Sequence, residues 1–256
     1  ECGRDPAGRR FRDRQPVLPV NDMGISRNIT LPGYISVADE GGVSFGGNQN
    51  WFSPDESSSR NLRRGACGLI GAEVFCLYYE KTQKKDPAAL QKRSGPSSDA
   101  PLDKDNYLSM IRREARSAYP IFPGVGSFNF EFELFVNRKL KKAGSDDRIR
   151  CLFLSSSNRR RSLIRKQLEA GCPVPLIIGQ HLLSPLSKKG ITFYTFKNGK
   201  PVPVYQDVYR HFVNITGIRI PEDMQLPLYY EISSWGRKYY IDAVELEKYA
   251  SKISAP

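Results

Sequence analysis

Between residues 67 and 82 apolar side chains recur every three or four positions, at Ile70, Val74, Leu77 and Tyr78. That spacing predicts a helix opening at Cys67. Three more helical segments follow: 104–118 behind Asp103, 129–142 behind Ser127, and 160–170 ending at Gly171. In the second of these, Phe132, Phe135, Val136 and Leu140 fall on one face. Residues 150–154 read as a short strand between the last two helices.

Beyond Pro173 the period drops to two. Segments 174–178, 191–196, 202–205, 211–220, 228–233 and 238–241 read as strands. Asn198-Gly199 marks a hairpin turn, because both residues tolerate positive φ. Asp242 and Glu245 have the spacing of a capping box for a last helix reaching residue 253. A helical first half followed by an antiparallel, strand-rich second half predicts an α+β fold.

The remaining segments read as connections. Residues 41–51 carry four glycines in GGVSFGGNQNW, too many for a regular element, and residues 53–59 continue as polar loop. Residues 84–101 form a linker rich in Lys, Ser and Pro. Residues 1–30, rich in Arg, Pro and Asp, read as an extended arm or the remnant of a pro-segment. The expected domain then spans 31–256, with a helical lobe to about 170 and a strand-rich lobe beyond it.

Composition narrows the functional classes. The chain has 256 residues, 39% of them hydrophobic, enough for one large domain or two lobes sharing a core. No apolar run approaches the ~20 residues that span a bilayer. Thirty-nine Lys and Arg against 27 Asp and Glu give a formal net charge of +12, which favours anionic polymers or acidic peptides as partners. The basic clusters at 138–142 and 159–161 accompany no nucleic-acid motif and read as solvated surface. Of five cysteines (Cys2, Cys67, Cys76, Cys151 and Cys172), no pair has CxxC spacing. With His181 and His211 the only imidazoles, no metal site and no cofactor are expected.

Two histidines make the search for a catalytic base short. Gly65-Ala66-Cys67-Gly68-Leu69-Ile70-Gly71-Ala72 sets a cysteine among small residues at the start of a helix. Exposed N–H groups there favour a thiolate, which lowers the thiol's pKa, and the Cys67 N–H is placed to hold an oxyanion. The plain alternative, a buried helix cysteine, describes Cys76. His211 opens a strand on which Val213 and Ile215 share its face. The next strand runs into Ser233-Ser234-Trp235-Gly236, where a polar group near Ser233 is placed to fix the imidazole's tautomer. His181, just past a core strand, reads as an edge residue. Trp51 and Trp235 read either as cleft walls or as ordinary core.

Taken in order, a Gln in a glycine-rich loop, Gly-x-Cys-Gly opening a helix, a strand His and x-Ser-Trp-Gly resemble the papain-like cysteine peptidases. Bacterial peptidases related to the bacteriocin-processing enzymes are the nearest in pattern. The resemblance implies a papain-like α+β fold, with Cys67 on the helical half and His211 on the antiparallel half. It implies thiol hydrolysis of a peptide or protein substrate, with Cys67 as nucleophile, His211 as base and Gln49 in the oxyanion hole, in a secreted or cell-surface bacterial setting. Asn48 and Asn50 compete with Gln49 for that place. The chain departs from the family at Ser233, which stands where Asn or Asp is usual; Asp242 is the nearest carboxylate, but its spacing suits a cap. A deamidase or acyltransferase would use the same pair, and an inactive scaffold binding an anionic polymer is the non-enzymatic alternative.

Overall fold

The computed structural model describes residues 28–83, 100–122, 126–152, 156–179, 190–223 and 226–253. His181, Cys2, residues 1–27 of the expected arm and most of the expected 84–101 linker lie outside them.

The described residues form six α-helices and two sheets, an α+β architecture. The main sheet is antiparallel and has seven strands: β1 (Ile29–Thr30), β5 (Val174–Ile178), β6 (Ile191–Lys197), β7 (Lys200–Val208), β8 (His211–Arg219), β9 (Tyr229–Ser234) and β10 (Arg237–Asp242). Its path runs β1-β8-β9-β10-β6-β7. One edge of β8 is shared, with β5 pairing residues 211–215 and β1 pairing residues 217–218. Every residue of β8 but the last is therefore buried. Ile29 and Thr30, read as the end of the arm, belong to this sheet. A small second sheet joins β2 (Val37–Asp39), β3 (Gly42–Val43) and β4 (Leu102–Asp103).

Helix α2 (Cys67–Gln83) lies at the centre, packed against α4 (Asn129–Lys142) on one side and β8 on another. Being enclosed, it buries more than the expected stripe: Leu69, Ile70, Ala72, Val74, Phe75, Cys76 and Tyr78 are all core. It also buries Glu73, which receives Lys139 Nζ at 3.0 Å; the same ammonium reaches Glu114 at 3.0 Å from α3 (Lys104–Ser117). Phe132 of α4 stacks on Phe212 of β8 with centroids 5.6 Å apart, which closes the core beside Cys67.

Several expected elements hold with shifted ends, and three do not hold. The polar stretch 53–59 runs into a helix, α1 (Ser57–Gly65), which touches the core mainly through Ser59 and Leu62. Leu62 is its one large apolar side chain, so no apolar recurrence marks it; its helical pattern lies in Arg60, Arg63 and Arg64 on the opposite face. Of the expected 150–154 strand, residues 150–152 form none and residues 153–154 lie outside the described residues. Ile149 exchanges two hydrogen bonds with the Asn137 side chain, and the Cys151 N–H donates to Glu133, so α4 side chains satisfy this backbone instead of a neighbouring strand. Within the glycine-rich loop, Gly42–Val43 pairs with β2 and Gln49–Trp51 makes a 3-10 turn. Helix α5 (Ser157–Glu169) starts earlier than expected because Ser156 Oγ accepts from the Arg159 N–H.

At the other end, Asp242 Oδ1 accepts from the N–H groups of Val244 and Glu245 and caps α6 (Ala243–Ile253). Glu245 departs from the expected capping box, accepting the Thr192 N–H of β6 at 2.8 Å. The Asn198-Gly199 turn forms as expected, with φ of 50° and 75° between the paired Lys197 and Lys200.

Gly68 has no room for a side chain. A Cβ there would lie 2.3 Å from Ser127 Oγ and 2.6 Å from the hydroxyl of the buried Tyr119. Gly68→Ala is therefore expected to destabilise the fold by about 1–3 kcal/mol through overpacking, despite alanine's better helix propensity. A drop in the urea midpoint measures it; an unchanged midpoint contradicts the packing.

Candidate active site

Cys67 is the first residue of α2 and lies partly exposed, with the neighbouring Ala66 and Gly68 buried. Its thiol faces the backbone N–H groups of Phe212, Gly68 and Cys67 itself, all of which favour the thiolate. Burial outweighs them and pushes the thiol above its ordinary value, opposite to the lowering expected from the helix start alone. Burial also pushes the His211 imidazole down, from its ordinary 6.5 to about 4. At neutral pH the structure therefore holds an uncharged thiol and an uncharged imidazole.

A cavity of about 20 Å³ borders both residues, although no hydrogen bond joins the thiol to the imidazole. It is lined by Cys67, His211 and Gln49 together with Asn214, Ser234 and Trp235, among others. Of the three amides competing in the glycine-rich loop, only Gln49 borders this cavity. Asn48 caps the 3-10 turn, its Oδ1 accepting the Asn50 N–H, and Asn50 is exposed. Gln49 Oε1 is buried and has no hydrogen-bond partner among the described residues, so the carboxamide is uncommitted.

The partner of the imidazole is Ser234 and not Ser233. Ser234 Oγ lies 2.7 Å from His211 Nε2. Strand register supplies the reason. Asn214 pairs with Ser233, so those two side chains share one face of the sheet, and alternation puts His211 and Ser234 on the other. Ser233 Oγ instead donates to the Phe45 carbonyl at 3.0 Å, tying β9 to the loop that carries Gln49. Asp242, the alternative carboxylate, is committed to its cap.

Trp235 covers the imidazole. Its ring stacks on His211 with centroids 4.5 Å apart and planes 23° from parallel, and Phe193 closes a third side at 6.3 Å. Trp235 and Gly236 are the two central residues of the β9–β10 turn, with φ of 46° and 71°. A tryptophan in the left-handed region is strained, by roughly 1–2 kcal/mol. The paired Ser234 and Arg237 on either side hold it there. Trp51 has a different place: its indole N–H donates to Asp39 at 2.8 Å, and Lys104 lies over its ring.

Asn214 is a site residue that sequence reasoning missed. Its Nδ2 donates to the Gly71 carbonyl at 2.9 Å and to the Tyr34 hydroxyl at 3.1 Å, which fixes Oδ1 as an acceptor at the cavity. The only sequence signal was an asparagine amid the apolar residues Phe212, Val213 and Ile215.

Among the described residues no helix is long and apolar enough to cross a membrane. No protein-family model, no curated protein and no solved structure matches the chain.

The two serines give a paired prediction. Ser234→Ala removes the hydroxyl beside His211 and is expected to lower turnover at least ~tenfold by freeing the imidazole's orientation. Ser233→Ala is expected to lower stability by about 1 kcal/mol, the worth of one hydrogen bond, with a smaller change in turnover. Steady-state kinetics of both variants on one substrate checks the order.

Proposed function

We propose that the chain is a papain-like cysteine hydrolase that cleaves a peptide or amide bond through a thioester at Cys67. The observation that carries this reading is the convergence of Cys67, His211 and Gln49 on one cavity, with Ser234 and Trp235 holding the imidazole.

In this reading the Nε2–H of His211 donates to Ser234, which leaves Nδ1 unprotonated and able to take the thiol proton. The sulfur attacks the substrate carbonyl carbon, and the carbonyl electron pair moves to oxygen. The oxyanion is stabilised by the Cys67 N–H and the Gln49 carboxamide. Collapse breaks the C–N bond, and the departing amine takes the proton from the imidazolium. Water, deprotonated by His211, then attacks the thioester; the acid leaves and the thiol is restored. Because thiol and imidazole start uncharged, proton transfer accompanies attack. Serine lacks the charge of a carboxylate, so Ser234 orients the ring more than it stabilises the imidazolium. An amine in place of water would make the same intermediate an acyl donor.

Limited alkylation tests the proposal. Iodoacetamide is expected to modify Cys67 ahead of Cys76, Cys151 and Cys172, and His211→Gln is expected to remove that preference. Equal labelling of the four thiols, or a preference that survives loss of the imidazole, rules it out. Gln49→Ala is expected to slow turnover about a hundredfold, the usual effect of losing one oxyanion donor, with intact labelling of Cys67.

A further inference from the structure

A second cavity, of about 160 Å³, lies between α1 and α3 and takes no part in the chemistry above. Two arginines one helical turn apart, Arg112 and Arg116, form one wall together with Ala115; Asn61, Leu62 and Ile121 complete it. Three of these six residues are apolar and two are cationic. Such a lining suits a group with a methylene stem and an anionic head better than a bare inorganic anion.

The guanidinium groups are only lightly engaged. Arg112 lies over the Phe52 ring and 3.8 Å from the half-exposed Glu56 carboxylate, at the outer limit of an ion pair. Arg116 is exposed and, like the Asn61 carboxamide, has no hydrogen-bond or ion-pair partner among the described residues. The last turns of α1 and α3 flank the cavity and bring partial negative charge. Two full positive charges on the wall, with Arg64 exposed on the same turn of α1, outweigh it.

The cavity is also joined to the cysteine. Ile121 packs against Gly65, where a Cβ would come within 3.0 Å of it. Leu62 accepts the Ala66 N–H at 3.0 Å, one residue before Cys67. The cavity wall thus adjoins the residues that lead into α2.

We infer that this cavity is a subsite for an acidic side chain, a glutamate of the substrate, with its methylenes on Leu62, Ala115 and Ile121 and its carboxylate between Arg112 and Arg116. The substrate role rests on the hydrolase reading; the binding does not. The inferred substrates are acidic peptides, consistent in sign with a chain of net charge +12.

Arginine Nε–Hε NMR signals of the full chain carrying Cys67→Ala test binding without turnover. The probes are N-acetyl-glutamate methylamide and its glutamine counterpart. Saturable shifts at Arg112 and Arg116 with the glutamate probe are expected, at least ~tenfold weaker with glutamine and weakened likewise by Arg116→Gln. Equal response to the two probes, a response unchanged by Arg116→Gln, or unsaturable shifts spread over all arginines overturns the inference. If saturable glutamate binding stands while Cys67 proves unreactive in the wild type, the subsite survives and the hydrolase reading falls. With an active enzyme, peptides bearing Glu near the cleaved bond are expected to outrun their Gln versions in kcat/KM about tenfold. Arg116→Gln is expected to erase the difference, and its persistence in that variant contradicts the subsite.

Discussion

Cys67→Ala is expected to bring peptide or amide hydrolysis to background, a fall of about 10⁴-fold or more, because no thioester can form. His211→Ala is expected to fall nearly as far, and the double variant no further, since the proposed mechanism has the two side chains act as one unit. The comparison is sharpened by Cys76. That thiol is buried in the same helix, where burial and the neighbouring Glu73 push it far up. Cys76→Ala is therefore expected to lower stability while leaving turnover near the wild-type level. Steady-state rates on one substrate, with urea midpoints for all variants, check the set. A Cys67→Ala protein keeping more than a few per cent of activity would contradict the mechanism at its root.

The second large effect concerns acid stability. His211 is 6% exposed, and its imidazole is held neutral down to about pH 4, against 6.5 in an unfolded chain. Between these values the unfolded chain binds a proton that the folded chain refuses. Stability therefore falls as pH drops from 6.5 through 4, and the contribution is fully kept above 6.5. The size is about 3 kcal/mol. Carboxylates titrate in part of the same range, so the informative quantity is a difference. His211→Gln is expected to unfold in urea with a shallower dependence on pH across this window than the wild type. Identical slopes for the two proteins refute the burial of the neutral ring.

Much of this arrangement was legible in the sequence, because the governing signals were local. The period-two strands, the Asn198-Gly199 turn and the helix opening at Cys67 each follow from a few adjacent residues. The helices that bury a full face, α2 and α4, were placed closely for the same reason. Helix α1 was not, because Leu62 is its one large apolar side chain and its periodicity is carried by Arg60, Arg63 and Arg64. Residues 150–152 were misread because Cys151 and Leu152 open a genuine apolar run, but the Cys151 N–H goes to Glu133 and the neighbouring Ile149 to Asn137.

The site divides along the same line. Cys67 and His211 sit at element starts that the chain announces, and both border the same small cavity. Choosing among Asn48, Gln49 and Asn50 required the 3-10 turn, which turns only Gln49 inward. Choosing between Ser233 and Ser234 required the β8–β9 register, which no short window contains. Asn214 was missed because its importance lies in what it faces, the carbonyl of Gly71 on a distant helix. The direction of the Cys67 shift was misjudged because enclosure by the surrounding fold overrides a helix terminus.

The turn that carries Trp235 and Gly236 binds two quantities that most proteins can vary separately. The length of the β9–β10 connection and the ceiling over the imidazole are set by the same pair of residues. An inserted or deleted residue here would re-aim the indole as well as loosen the hairpin, whereas β6 and β7 can change their connection without touching the histidine. Variation in length should therefore be tolerated around residues 198–199 and refused at 235–236.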